Sequence, residues 1–128
     1  SRIEVDAGKL GGPDSNRMGL ICRADAGRHY FFIVGSDGYY GLGIFTNGTA
    51  ALLGQAAMQQ SQAIITGTAV NHLRLDCGGS ALSGYINGVP VAQVQDQTLE
   101  HGEVGILAGT FNEPGADIVF DNFVVLQP

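Results

Sequence analysis

"NHLRLDCGGSALSGYINGVPVAQVQD", residues 71–96, is the stretch that decides the fold. Its opening alternates, with Leu73, Leu75 and Cys77 on one side and His72, Arg74 and Asp76 on the other. A period of two is the pattern of a strand with one buried and one wet face. Gly78, Gly79 and Ser80 then turn the chain into "ALSGYI", and Asn87-Gly88 is the dipeptide of a tight hairpin leading into "VPVAQVQD". Pro90 has no N–H to give to a ladder, so its strand starts there or lies at an edge. Three short strands joined by tight turns predict an antiparallel sheet.

The same punctuation runs the length of the chain. "RIEVDA" reads as a strand with Ile3 and Val5 inward, followed by a Gly-Gly-Pro break in "KLGGPDSN". "MGLICRA" follows. In "RHYFFIVG", Tyr30, Phe32 and Val34 share one face, while His29, Phe31 and Ile33 share the other. That run is apolar on both faces, as a central strand of a sandwich is. Asp37-Gly38 and Asn47-Gly48 supply further hairpin turns around "YYGLGIF". Helix formers are concentrated only in "AALLGQAAMQQSQAI" (51–65), where Gly54 and the short length limit the expectation to one turn of helix. "EVGILAG" and "DIVFDNFVVL" complete the series, with the loop "TFNEPGA" between them. About ten strands, with turns every eight to twelve residues, predict a two-sheet β-sandwich. No internal repeat is present, which argues against a propeller or solenoid.

Composition narrows the classes of function. The chain has 128 residues, 45% of them hydrophobic and 14% charged, enough for one domain spanning 1–128 with a real core. Twenty glycines suit many tight turns. The net charge is −6 with Lys9 the only lysine, so nucleic acid and anionic membrane are poor partners. No apolar stretch is long enough for membrane insertion as a helix. The chain opens "SRIEV" without an initiator methionine or signal peptide, so it is read as a mature piece or one cut from a longer protein. Two readings of Cys22 and Cys77 stand open: two small buried hydrophobes, or a disulfide closing a loop of more than fifty residues. The second would be worth on the order of 4 kcal/mol and would imply an oxidising, extracellular or cell-surface setting.

In order and spacing, "EVDAGKLGGPDSNRMGLICRA", "YFFIVGSDGYYGLG", "NHLRLDCGGSALSGYINGVPVAQVQD" and "GEVGILAG…VFDNFVV" resemble the concanavalin A-like jelly rolls. Within that superfamily the chain is most similar to the laminin G-like and family 16 glycosidase-related domains of bacterial surface proteins. The Tyr-Ile-Asn-Gly hairpin at 85–88 and the Phe-Asp-Asn-Phe strand at 120–123 carry the resemblance most specifically. Full members carry one or more strands before the position where this chain begins. The resemblance therefore implies an apolar edge, filled by upstream chain, a partner strand or a second copy.

Retaining glycosidases of this fold carry Glu-x-Asp-x-x-Glu on one strand, the acids flanking the sugar bond. Glu4 and Asp6 match the first two positions, but Lys9 stands at the third. Scattered His29, His72 and His101 form no spaced metal motif, and no serine carries a nucleophile signature. The chain is accordingly read as a non-catalytic recognition module, carbohydrate-directed as the lectin-like members are. A structural or protein-interaction domain that oligomerises is the alternative.

Sugars need hydrogen-bonding groups beside aromatic faces. Tryptophan is absent, which leaves Tyr39, Tyr40 and Tyr85 with Arg23, Arg74 and Asn87 as candidate ligand residues. Each has a simpler role: Tyr40 and Tyr85 as half-buried strand residues, Arg23 as cover for apolar surface or partner of an acid, Asn87 and Asp37 as turn residues tolerating positive φ. Calcium is the one cofactor the resemblance makes conceivable, with Asp121 and Asn122 as its candidate ligands. Strict alternation puts one of that pair on a buried face, where hydrogen bonds or an ion pair with Arg74 are favoured over a metal.

Overall fold

The computed structural model describes residues 1–110 and 114–127. It is an all-β sandwich of two antiparallel sheets. In chain order the strands are β1 (Arg2–Gly11), β2 (Asn16–Asp25), β3 (Arg28–Val34), β4 (Tyr39–Thr46), β5 (Thr49–Leu52), β6 (Gln59–Gln60), β7 (Val70–Gly78), β8 (Ala81–Ile86), β9 (Val89–Gln95), β10 (Glu103–Thr110) and β11 (Asp117–Leu126). One sheet has five strands in the order β11-β1-β7-β8-β9. The other has six, in the order β10-β2-β3-β4-β5, with β6 also pairing with β4. No helix among the described residues is long and apolar enough to cross a membrane.

Alternation places the core. Ile3, Val5 and Ala7 of β1, with Leu73, Leu75 and Cys77 of β7, face Met18, Leu20 and Cys22 of β2 and Tyr30, Phe32 and Val34 of β3, all of them buried. Each large side chain removed from water here contributes about 1.5–3 kcal/mol. The Phe32 ring seats on Gly84 of the opposite sheet, where a Cβ would stand 2.6 Å from Cε1. Cys22 and Cys77 join β2 to β7 by a disulfide and so staple one sheet to the other. The hairpins form where Asn-Gly pairs stand. Asn47 and Asn87 take φ of 53° and 51°, each followed by a glycine that is also left-handed.

Four expectations need correction. Residues 51–65 form no helical turn: β5 ends at Leu52 and β6 follows at Gln59, because Gly54 (φ 79°) breaks the segment and β4 offers it an edge to pair with. Asp37 does not take positive φ; its carboxylate instead accepts the Tyr39 N–H at 3.2 Å, and Gly38 supplies the left-handed turn. Arg23 makes no hydrogen bond or ion pair with an acid among the described residues: at a bulge in β2 it instead caps the backbone carbonyls of Gly79 and Leu99. Neither Asp121 nor Asn122 breaks a buried face. The register of β11 slips between Asp6 opposite Asp121 and Glu4 opposite Val124, and Asn122 takes φ of 57°. This β-bulge inserts an extra residue and leaves both polar side chains exposed.

Candidate ligand cleft and the charged face opposite

The apolar run on both faces of β3 has a consequence outside the core. Phe31 and Ile33 point away from the sandwich interior, yet each is only 6% exposed. They are covered from their own side of the sheet. Phe31 stands opposite Gly43 of β4, where a Cβ would lie 2.5 Å from the Phe31 ring and 2.3 Å from the Ala51 carbonyl oxygen. The missing side chain lets the ring lie across β4. Leu52 and Met58 reach over Gly41 in the same way.

These residues wall a cleft of about 400 Å³ on the outer face of the six-stranded sheet, lined by Arg17, His29, Phe31, Ile33, Phe45, Ala50, Leu52, Met58, Leu107 and Ala108. Its size falls within the range of small-ligand sites. His29 and Phe45, paired across β3 and β4, stack with ring centroids 5.2 Å apart and planes 12° off parallel. Burial holds the His29 imidazole below its ordinary pKa. The ring is therefore neutral near pH 7, with one nitrogen to donate and one to accept.

The outer face of the five-stranded sheet is polar and self-paired. Arg74 makes two bonds to Asp76 (Nε–Oδ1 3.0 Å, Nη2–Oδ2 2.7 Å) and lies 4.2 Å above the Tyr85 ring. Burial works against the Asp76 charge, but Arg74 and Arg2 hold its pKa below the usual value. On the same face, His72 directs Nε2 to Glu4 and Nδ1 to Asp6, both at 2.7 Å. Lys9, at the position where a glycosidase has its second glutamate, donates to the Gly12 carbonyl (2.9 Å) and the Asp14 carboxylate (2.5 Å).

The residues singled out from sequence do not converge. Arg74 and Tyr85 meet on the polar face. Asn87 sits in the neighbouring turn, where it accepts the His72 backbone N–H at 2.8 Å and donates to Ala63 O and Asn71 Oδ1. Arg23 is buried at φ 53° in the β2 bulge, donating to the carbonyls of Gly79 (2.7 Å) and Leu99 (3.0 Å). Tyr40 points between the sheets and donates to the Val91 carbonyl at 3.0 Å. Tyr39 is exposed at the start of β4, outside the cleft lining. Asp121 accepts the Asn122 N–H, and Asn122 donates to Asp6 Oδ2, each at 2.8 Å. Among the described residues no group of three His, Cys, Asp or Glu side chains is arranged to hold a metal. The cleft residues His29, Phe31, Phe45, Leu52 and Met58 were not candidates from sequence. Their one signal was the double-sided apolar run of β3, which reads equally well as a central strand.

No protein-family model matches the sequence. No curated protein sequence matches it either. Solved structures do. The carbohydrate-binding module CBM66 from Bacillus subtilis superposes with a TM-score of 0.78 at 22% identity, over 95% of this chain and 71% of that one. Sheep galectin-11, in complex with glycerol, gives 0.64 at 15%, over 96% and 86%. The Caenorhabditis elegans galectin LEC-6 gives 0.65 at 14%, over 97% and 81%. At these identities the likeness is one of fold: an antiparallel two-sheet jelly-roll sandwich.

Proposed function

We propose that this chain is a non-catalytic glycan-recognition module of an extracytoplasmic protein, and that its ligand binds in the cleft on the six-stranded sheet. The observation that carries the reading is the stacked His29–Phe45 pair beside a ligand-sized cleft. A flat ring pair offers the C–H face of a sugar a stacking surface, and a neutral imidazole offers hydroxyls a donor and an acceptor. Solved structures named as a carbohydrate-binding module and as galectins share the fold and support the same class. The disulfide supports an oxidising compartment. A non-catalytic role is supported by the engagement of Glu4 and Asp6 with His72, and of Lys9 with Asp14.

Glycan-array screening, with and without added calcium, followed by calorimetry on the hits, tests this reading. At least one glycan is expected to bind, and Phe45→Ala to weaken it about tenfold. Failure of every glycan on a broad array would overturn the proposal.

One observation favours a second reading, an assembly domain. On β11, at the edge of its sheet, Val119, Phe123, Val124, Val125 and Leu126 are each 39–43% exposed. An apolar edge of this kind is a template for another strand. Light scattering across a dilution series would decide: a concentration-independent dimer makes assembly the leading function.

A further inference from the structure

We infer that the cleft on the six-stranded sheet takes the apolar substituent of a glycoside, an alkyl or aryl group carried on a sugar, in preference to an unsubstituted sugar ring. The inference rests on the glycan-binding reading and narrows its ligand class.

The argument is one of hydrogen-bonding capacity. Of the side chains lining the cleft, only Arg17 and His29 are polar; the walls are Phe31, Ile33, Leu52 and Met58. Backbone donors and acceptors of β3, beneath Phe31 and Ile33, are committed to its ladders with β2 and β4. A sugar ring seated in this space would bury several hydroxyls against carbon, and each one left unpaired loses affinity. An alkyl or aryl group loses nothing there, and each methylene it buries raises affinity about fourfold.

Shape agrees with chemistry. A space of about 400 Å³ has room for roughly a dozen water-sized groups. That holds an aromatic ring or a medium alkyl chain, and a sugar ring no less, so the choice between them falls to the chemistry of the walls. Met58, unbranched and adaptable, can settle around different apolar shapes. Exposed Ala50 pairs with Phe45 and marks the open end, where the His29–Phe45 stack would hold the sugar while the substituent lies inward.

The two methionines make the test direct. Met58 lines the cleft, whereas Met18 is 2% exposed in the core and serves as an internal control. Protein labelled with ¹³C at the methionine methyls is titrated with phenyl and octyl glycosides of common sugars. The octyl compounds are kept below their micelle concentrations, and each glycoside is compared with its parent sugar. The expected result is a glycoside that binds at least about tenfold more tightly than its parent sugar, moving the Met58 resonance and leaving Met18 in place. Ala50→Glu, which sets a charge at the open end, is expected to weaken that binding about tenfold. Equal binding of the parent sugars and their glycosides would overturn the inference and leave the glycan reading standing. Binding of sugar-free octanoate as tight as that of the octyl glycosides would remove the glycan reading and keep an apolar site. A Met58 resonance that no compound moves would remove the cleft as the site, whatever the array finds.

Discussion

His72 holds Asp6 across the β1–β7 pairing: Nδ1 lies 2.7 Å from Oδ1, in register with the backbone pairing of the two residues. Its other nitrogen meets Glu4, so both ring nitrogens face carboxylates, an arrangement that suits the doubly protonated imidazolium. The hydrogen bond to Glu4 and then that to Asp6 raise the His72 pKa above 6.5, outweighing desolvation. A raised folded-state pKa contributes stability that is complete below about pH 6.5 and is lost as pH rises through the folded value. Asp6 behaves oppositely. Asn122 and then His72 hold its pKa below 3.8, so its contribution is present above about pH 4 and lost as pH falls through the folded value. Thermal melts from pH 3 to 9 should show a decline above pH 6.5 that His72→Gln abolishes, while on the acid side His29, held below its ordinary pKa, and Asp6 both lower stability as they protonate. A wild-type Tm that does not fall between pH 6.5 and 9 would sink this account.

The bond between Cys22 and Cys77 closes a separation of 55 residues and covalently connects sheets otherwise held by packing and by hydrogen bonds such as Tyr40 to the Val91 carbonyl. By chain entropy, a loop of that length stabilises the fold by about 4 kcal/mol. Denaturant unfolding with and without reductant, and of the Cys22→Ala, Cys77→Ala double variant, should show a loss of that order. An unchanged midpoint would mean that packing and hydrogen bonds fix the sheets without the disulfide.

How far the fold was legible follows from period two. Inward positions of β7, and of β1 as far as Ala7, were readable because buried and wetter residues alternate there, whereas in β3 only the parity of Tyr30, Phe32 and Val34 marked them. The bulges were not readable. Arg23 and Asn122 both take positive φ and step their strands out of phase, and neither is a glycine that would have marked the place. The cleft escaped for a different reason. Phe31 owes its position to Gly43 on the neighbouring strand, a pairing that exists only once β3 and β4 are in register. Tyrosines and arginines drew attention as sugar-binding types, but hydrogen bonds commit Tyr40 and Arg23 to the scaffold.

Tyr30 shows that kind of commitment most fully. Its ring is wholly buried, while its hydroxyl donates to Asp96 Oδ1 at 2.5 Å and accepts the Leu99 N–H at 3.1 Å. Burial and the Asp96 carboxylate together push its pKa up, so the hydroxyl stays protonated and remains a donor. Tyr30→Phe keeps the ring and strands the Leu99 N–H, which should cost about 1–3 kcal/mol in urea unfolding. Because the Leu99 carbonyl also receives Arg23, Arg23→Met combined with Tyr30→Phe should be non-additive. Strict additivity would show that the two residues hold this segment independently.

The two sheet faces can be told apart by substitutions that each leave the core untouched. Phe45→Ala removes half of the stacked pair on the cleft side, and Tyr85→Ala removes the ring under Arg74 on the other. If the glycan lies in the cleft, Phe45→Ala weakens binding about tenfold, through lost stacking and lost apolar contact, and Tyr85→Ala leaves it within about twofold. The pH dependence should agree. His29 is held below its ordinary pKa by burial, so it stays neutral and binding is level from pH 6.5 upward, weakening only as acid protonates the ring. Calorimetry of both variants at pH 5, 7 and 8.5 reads all of this at once. Loss of binding in Tyr85→Ala with Phe45→Ala unaffected would move the site to the charged face. Binding there would have to compete with the Arg74–Asp76 pair already made.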